Sequence, residues 1–212
     1  MKYLALGDSI SIDDYTGIAD GGAVRQFAKL IGATEIQDLA LDGATTSSVL
    51  QTMSLIKIRP DIVTITAGGN DLLQYSGVPE EVEVSQQAYL EDVAAGIVGN
   101  LVKIGSRLSA LDCPVIMNTV YDPTDGDDSL AGELGMDAAW RFVFDQINSG
   151  IRSITTEHGF LLCDLERLFH GHGIPSQEPW LVMQVEPNHA GATAIAGEWH
   201  KIARAGVRHP TP

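Results

Sequence analysis

Five short runs rich in Val, Ile and Leu, each followed by a stretch with helical spacing, leave this chain few architectures. The runs cover residues 2–6, 35–41, 61–67, 114–120 and 160–165. They do not alternate cleanly between apolar and polar residues, which marks parallel strands buried on both faces. Between them lie segments with apolar residues three and four apart, at 23–30, 46–56, 85–111, 136–158 and 190–205. The longest places Leu90, Val93, Ile97, Leu101, Ile104 and Leu108 on one face. Strand alternating with helix implies a parallel sheet covered on both sides, and right-handed crossovers limit how it is wound. The expectation is an α/β fold: one flavodoxin-like, three-layer α/β/α domain over residues 1–212 with a five-stranded parallel sheet.

Charge narrows the partners. The formal net charge is −15, which opposes non-specific binding to nucleic acid or anionic membranes, both of which need basic surface. No apolar run approaches the length of a membrane span, and the first residues lack the pattern of a secretory signal. A cytoplasmic protein without nucleic-acid or membrane partners is expected. Its two cysteines, Cys113 and Cys163, lie in apolar runs without a basic neighbour, so buried free thiols are expected rather than a nucleophile.

Three polar loops, 13–22, 74–84 and 122–135, follow strands one, three and four. They should rim the carboxyl edge of the sheet, where open α/β sheets bind ligands. The acids at 125–128 lack calcium-loop spacing, and no metal or other cofactor is expected.

The same edge receives Gly7-Asp8-Ser9 at the end of the first run. A serine on such a turn can be exposed yet fixed, as a nucleophile requires. Asp8 or Ser9 would equally serve as a helix N-cap. Asp42-Gly43-Ala44 follows the second run, and Gly43 can turn a backbone N–H toward the edge. Gly68-Gly69-Asn70-Asp71 follows the third. Its glycines permit close backbone approach, and Asn70 can aim its amide at an oxygen, while Asn70 and Asp71 also suit capping.

Taken in order, Gly7-Asp8-Ser9, Gly43 and Gly68-Gly69-Asn70-Asp71 resemble three of the four blocks of the SGNH (GDSL) hydrolase family. The resemblance spans most of the chain. It implies that Ser9 is an acyl-accepting nucleophile, supported by Asp8 and Asp71. It also implies an oxyanion hole built from Ser9 N–H, Gly43 N–H and the Asn70 side chain, acting on a small-molecule carboxylic ester without a cofactor.

The fourth block of that family reads Asp-x-x-His-Pro-Asn-x-x-Gly. Here the segment is Met183-Gln184-Val185-Glu186-Pro187-Asn188-His189-Ala190-Gly191. Two registers compete. Aligning Pro187, Asn188 and Gly191 puts Glu186 at the base position and Met183 at the acid position. Aligning acid and imidazole pairs Glu186 with His189 instead. The first suits the turn into the last helix; the second suits the chemistry, and it makes His189 the candidate base. Three outcomes stay open: Glu186 is itself the base, His189 is the base oriented by Glu186, or Ser9 is unactivated.

His170 and His172 follow the fifth run and offer a base from another direction, and Trp180 with Leu181 offers an apolar wall for an acyl group. The competing functions are an esterase or lipase-like acylhydrolase and a non-catalytic or very slow ligand-binding protein on the same fold. Nucleotide or flavin binding is disfavoured, because the first loop lacks a phosphate-cradling glycine pattern and carries Asp13 and Asp14.

Overall fold

The computed structural model describes residues 1–74 and 85–206. Five parallel strands form the sheet: β1 (Lys2–Gly7), β2 (Glu35–Ala40), β3 (Ile62–Ile65), β4 (Val115–Asn118) and β5 (Leu161–Cys163). Their order is β2-β1-β3-β4-β5. The order reverses between β1 and β3, so a crevice opens beyond their carboxyl ends. Each of the five expected runs supplies one strand, so the α/β sheet is as the sequence implied.

Among the described residues eight α-helices connect and cover it: α1 (Ala23–Leu30), α2 (Thr46–Thr52), α3 (Gly69–Leu73), α4 (Gln86–Ser109), α5 (Asp128–Glu133), α6 (Ala138–His158), α7 (Leu165–Phe169) and α8 (His189–Gly206). Strand alternation sorts the core into two layers. Leu4 and Leu6 of β1 face one side, with Val63, Ile65, Val115 and Met117, under α4 and α6. Tyr3 and Ala5 face the other, with Ile116 and Cys163, under α1 and α8. On that second side Tyr3, Phe27 and Trp199 meet edge to face, with ring centroids 5.2 and 5.6 Å apart. Each such buried side chain contributes roughly 1.5–3 kcal/mol.

Three differences from the sequence reading have local causes. The segment expected as one helix over 46–56 divides into α2 and a 3₁₀ turn, Met53–Leu55. Thr52 Oγ1 and Ser54 Oγ donate back to the carbonyls of Val49 and Gln51, a bonding mode that bends helices. The loop expected over 122–135 contains α5, opened by Asp127, whose carboxylate accepts from Ser129 N and Leu130 N at 3.0 Å each. Finally, residues 181–187 form a hairpin of β6 (Leu181–Val182) and β7 (Glu186–Pro187) that the apolar pattern did not indicate. The polar loop expected over 74–84 lies, except for Gln74, outside the described residues.

Candidate active site

Ser9 stands where β1 ends, and Gly7 is what lets it stand there. A Cβ on Gly7 would lie 2.2 Å from Thr66 Oγ1 and 2.4 Å from Thr66 O, and its φ is +138°. Only glycine allows the exits of β1 and β3 to pass this closely. Asp8 then caps a 3₁₀ turn, Ser9–Ser11, by accepting from Ile10 N at 3.3 Å. Its own N–H donates to Thr66 Oγ1 at 3.2 Å. Burial pushes the Asp8 carboxyl up to about 6. The capping role and the serine presentation coexist.

Opposite Ser9 stands Glu186. Ser9 Oγ donates to Glu186 Oε1 at 3.0 Å. Burial raises the Glu186 pKa above the usual carboxylate range; the Ser9 hydrogen bond opposes this, and the charges of Asp8 and Asp42 add to it. The other oxygen, Oε2, is buried without a hydrogen-bond partner. Glu186 is held from the residue before it: Tyr121 Oη donates to the Val185 carbonyl while its ring stacks on Phe169 at 4.2 Å.

His189 is placed otherwise than expected. It is the first residue of α8 and is exposed, and it does not line the cavity that Ser9 and Glu186 share. The cause is the turn. Asn188 Oδ1 accepts from Gly191 N at 3.1 Å and Asn188 O accepts from Ala192 N at 2.9 Å, so Pro187, Asn188 and Gly191 set the start of α8. That is the register placing Glu186, not His189, against the serine. Met183 occupies the acid position, 71% exposed at the hairpin tip, with left-handed backbone there and at Gln184 (φ 49° and 71°).

The third wall comes from α3. Asn70 Nδ2 donates to Ala44 O at 3.2 Å, tying it to the loop that holds Gly43. Gly43 has φ +68°, which favours glycine, and is not among the cavity-lining residues. Asp71 does not line the cavity and braces the start of α2. Its carboxylate accepts from Thr46 N at 2.8 Å and Thr46 Oγ1 at 2.7 Å, and Asn100 Nδ2 donates to Thr46 Oγ1 at 3.2 Å.

Ser9, Asn70 and Glu186 line one cavity, with about 40 Å³ of room for solvent; its apolar walls include Leu72, Val120, Tyr121, Met136 and Trp140. Trp180 is not one of them. It stacks on His172 at 3.6 Å and meets Phe169 edge-on at 5.5 Å, packing the connection into the hairpin. His170 and His172 likewise stay outside the cavity. Asp125 braces their loop, accepting from Gly171 N at 3.0 Å and Gly173 N at 2.8 Å. Among the described residues no group of three or more His, Cys, Asp or Glu is placed to hold a metal ion. Burial raises the thiol pKa of Cys163, and that of half-buried Cys113 to about 11, so neither presents a thiolate.

Residues 5–194, which contain every element of this site, match the model of the GDSL-like lipase/acylhydrolase family. The chain belongs to that family. A lipase from Streptomyces rimosus is 26% identical over 223 residues, covering 95% of this chain and 81% of the relative. Among solved structures, phospholipase A1 from Streptomyces albidoflavus NA297 shares the fold with a TM-score of 0.67 at 22% identity, covering 96% of this chain and 98% of its own. An acetylxylan esterase from Geobacillus stearothermophilus does so at 0.68 and 20%, covering 94% and 92%.

Within this GDSL-like family member, Tyr121, Met136 and Trp140 went unread in the sequence. Tyr121 directly follows the fourth apolar run, and Trp140 lies in the first turn of α6. Their positions at strand and helix ends were legible, but which face they present depends on packing.

Proposed function

We propose that this chain is an ester hydrolase in which Ser9 is the nucleophile and Glu186 its base. The observation that supports it most is the 3.0 Å hydrogen bond from Ser9 Oγ to Glu186 Oε1. Ser9 Oγ attacks the ester carbonyl as its proton passes to Glu186. The tetrahedral oxyanion is held by Ser9 N–H, Gly43 N–H and Asn70 Nδ2, three donors of the kind whose single loss costs about a hundredfold or more in rate. Collapse expels the alcohol, which takes the proton from Glu186. Water then attacks the acyl-enzyme by the same route and releases the acid.

An acid with a raised pKa suits the role, because a base works best when its pKa approaches the working pH. The relatives are a lipase, a phospholipase A1 and an acetylxylan esterase, which differ in the alcohol they release. Asp8 and Glu186 line the cavity and, among the described residues, no Lys or Arg does, so the reading favours a neutral ester over one bearing a phosphate beside the carbonyl.

The test is turnover of p-nitrophenyl acetate by the wild type, Ser9→Ala, Glu186→Gln and His189→Ala. The first two substitutions should abolish it and the third should leave it within about twofold. Hydrolysis that persists in Ser9→Ala overturns the reading. Exposed Met183 at the acid position favours a second reading, a binding protein with an unactivated serine. Failure of a fluorophosphonate to label Ser9, together with measurable ester binding, would decide for it.

A further inference from the structure

Among the described residues, two buried side-chain polar atoms lack a hydrogen-bond partner: Glu186 Oε2 and Trp140 Nε1. Both residues line the cavity that Ser9 also lines. Buried polar groups are almost always paired, and leaving one unpaired is costly, so each such atom calls for a missing partner. Glu186 Oε2 belongs to the base. Trp140 Nε1 has no place in the reaction described above.

The indole is held firmly where it is. Trp140 is 4% exposed and stacks on Phe144 with ring centroids 5.2 Å apart and planes 15° from parallel. Its backbone N–H donates to Asp137 Oδ1 at 3.0 Å, which fixes the first turn of α6. The ring is a donor only, so the absent partner is an acceptor. Of the residues lining the cavity, Leu72, Val120 and Met136 carry no acceptor side chain, and the acceptors Asp8, Asn70 and Glu186 make no hydrogen bond to the indole. Tyr121 Oη donates to the Val185 carbonyl and does not accept from the indole.

We propose that this cavity receives the acyl group of the ester, that the acyl group is short and carries an acceptor oxygen of its own, and that Trp140 Nε1 donates to that oxygen. The assignment rests on Ser9 being the acylated residue. Room of about 40 Å³ is that of a few water molecules, which suits about two to four carbons of an acyl group within the cavity. An ether, keto or hydroxyl oxygen in such a group supplies the acceptor that Trp140 Nε1 lacks. A purely alkyl group of equal size leaves the indole unpaired. Sites built to hydrogen-bond a substrate discriminate strongly against analogues that lack the bonding group.

Methoxyacetyl and butyryl groups have the same shape and differ by one ether oxygen. In a ¹H–¹⁵N spectrum the three tryptophans give three indole signals, and Trp140→Phe identifies the one from Trp140. Trp199 Nε1, bonded internally to Asn118 Oδ1 at 2.7 Å, serves as the reference. Methoxyacetamide should move the Trp140 indole proton downfield, and butyramide should not. In parallel, the ratio of kcat/KM for p-nitrophenyl methoxyacetate to that for the butyrate should fall about tenfold in Trp140→Phe, the worth of one neutral hydrogen bond. Comparing ratios between enzymes cancels the intrinsic reactivity of the two esters. Equal indole shifts with both amides, no shift with either, or an unchanged ratio overturns the proposal. The indole measurement needs no turnover, so it decides the pocket even if hydrolysis proves independent of Ser9.

Discussion

Ser9 Oγ and Glu186 Oε1 lie 3.0 Å apart although 177 positions separate them in the chain. One comes from the end of β1 and the other from a hairpin outside the main sheet. The carboxylate therefore meets the serine directly, with no imidazole between them.

Activity should accordingly follow the ionisation of a carboxyl. Burial raises the Glu186 pKa, so the base is protonated and idle at low pH and becomes competent as pH rises through a value above the ordinary glutamate range. kcat/KM should climb on that limb, and Glu186→Gln should lie at least about a hundredfold below wild type, the loss expected when general-base catalysis is removed. A pH profile recorded on the wild type and His189→Ala checks the assignment. If the limb disappears in His189→Ala, His189 is the base.

Building an imidazole base into this site should require two substitutions. Glu186→His alone places an imidazole beside Ser9 with nothing to orient it. Adding Met183→Asp supplies the acid three positions earlier, and the pair should exceed the single variant by about tenfold or more in kcat, since the acid of a triad fixes the tautomer and steadies the imidazolium. Equal rates would show that the hairpin tip does not approach residue 186 from the side a triad needs.

Asn70→Ala should lower kcat by about a hundredfold while KM changes little, because an oxyanion donor acts mainly on the transition state. The lost bond to Ala44 O is worth about 1 kcal/mol of stability, small enough for the variant to remain folded. A rate within about threefold of wild type would remove Asn70 from the oxyanion hole.

Asp71→Ala should act on the fold first. It strips two charge-assisted bonds from Thr46, at 2.8 and 2.7 Å. Urea unfolding should register a loss of about 2–3 kcal/mol. A loss under about 0.5 kcal/mol would mean that α2 does not depend on this brace.

Asp8 carries an inverse dependence on pH. Its carboxyl is pushed from 3.8 up to about 6 in the folded protein, so the native state holds this proton more tightly than the unfolded chain does. The resulting stabilisation is complete below about pH 4 and is lost as pH rises to about 6, an effect of roughly 3 kcal/mol. Asp8→Asn keeps an acceptor for Ile10 N without the charge. It should therefore be more stable than wild type at pH 7 and no more stable at pH 4. The same difference at both pH values, measured by thermal unfolding, would contradict this.

What the sequence disclosed and what it withheld divide along physical lines. Buried parallel strands announce themselves through continuous Val, Ile and Leu, and the turns after them through Gly7, Gly43 and Gly68, so the sheet and the serine's seat were legible. The short helices α3, α5 and α7 were not, because they have too few turns to show a period; α5 and α7 are opened by the side chains of Asp127 and Asp164. The partner of Ser9 was legible only as two registers. Acid and imidazole spacing favoured His189, but the backbone followed Pro187, Asn188 and Gly191. Trp140 was invisible as a site residue, since a tryptophan at the start of an amphipathic helix reads as core until its indole is found without a partner.

With Glu186 as the proposed base, an acid at Met183 has no task. Proton transfer from serine to imidazole creates a cation and an anion side by side, and a triad acid is there to settle the cation. Transfer to Glu186 creates no such pair: one negative charge leaves the base and reappears on the substrate oxygen. The reaction is then a migration of charge across a few ångströms, with little sensitivity to added salt. The hairpin tip has no cation to steady, and a solvent-facing methionine fills the position without chemical penalty.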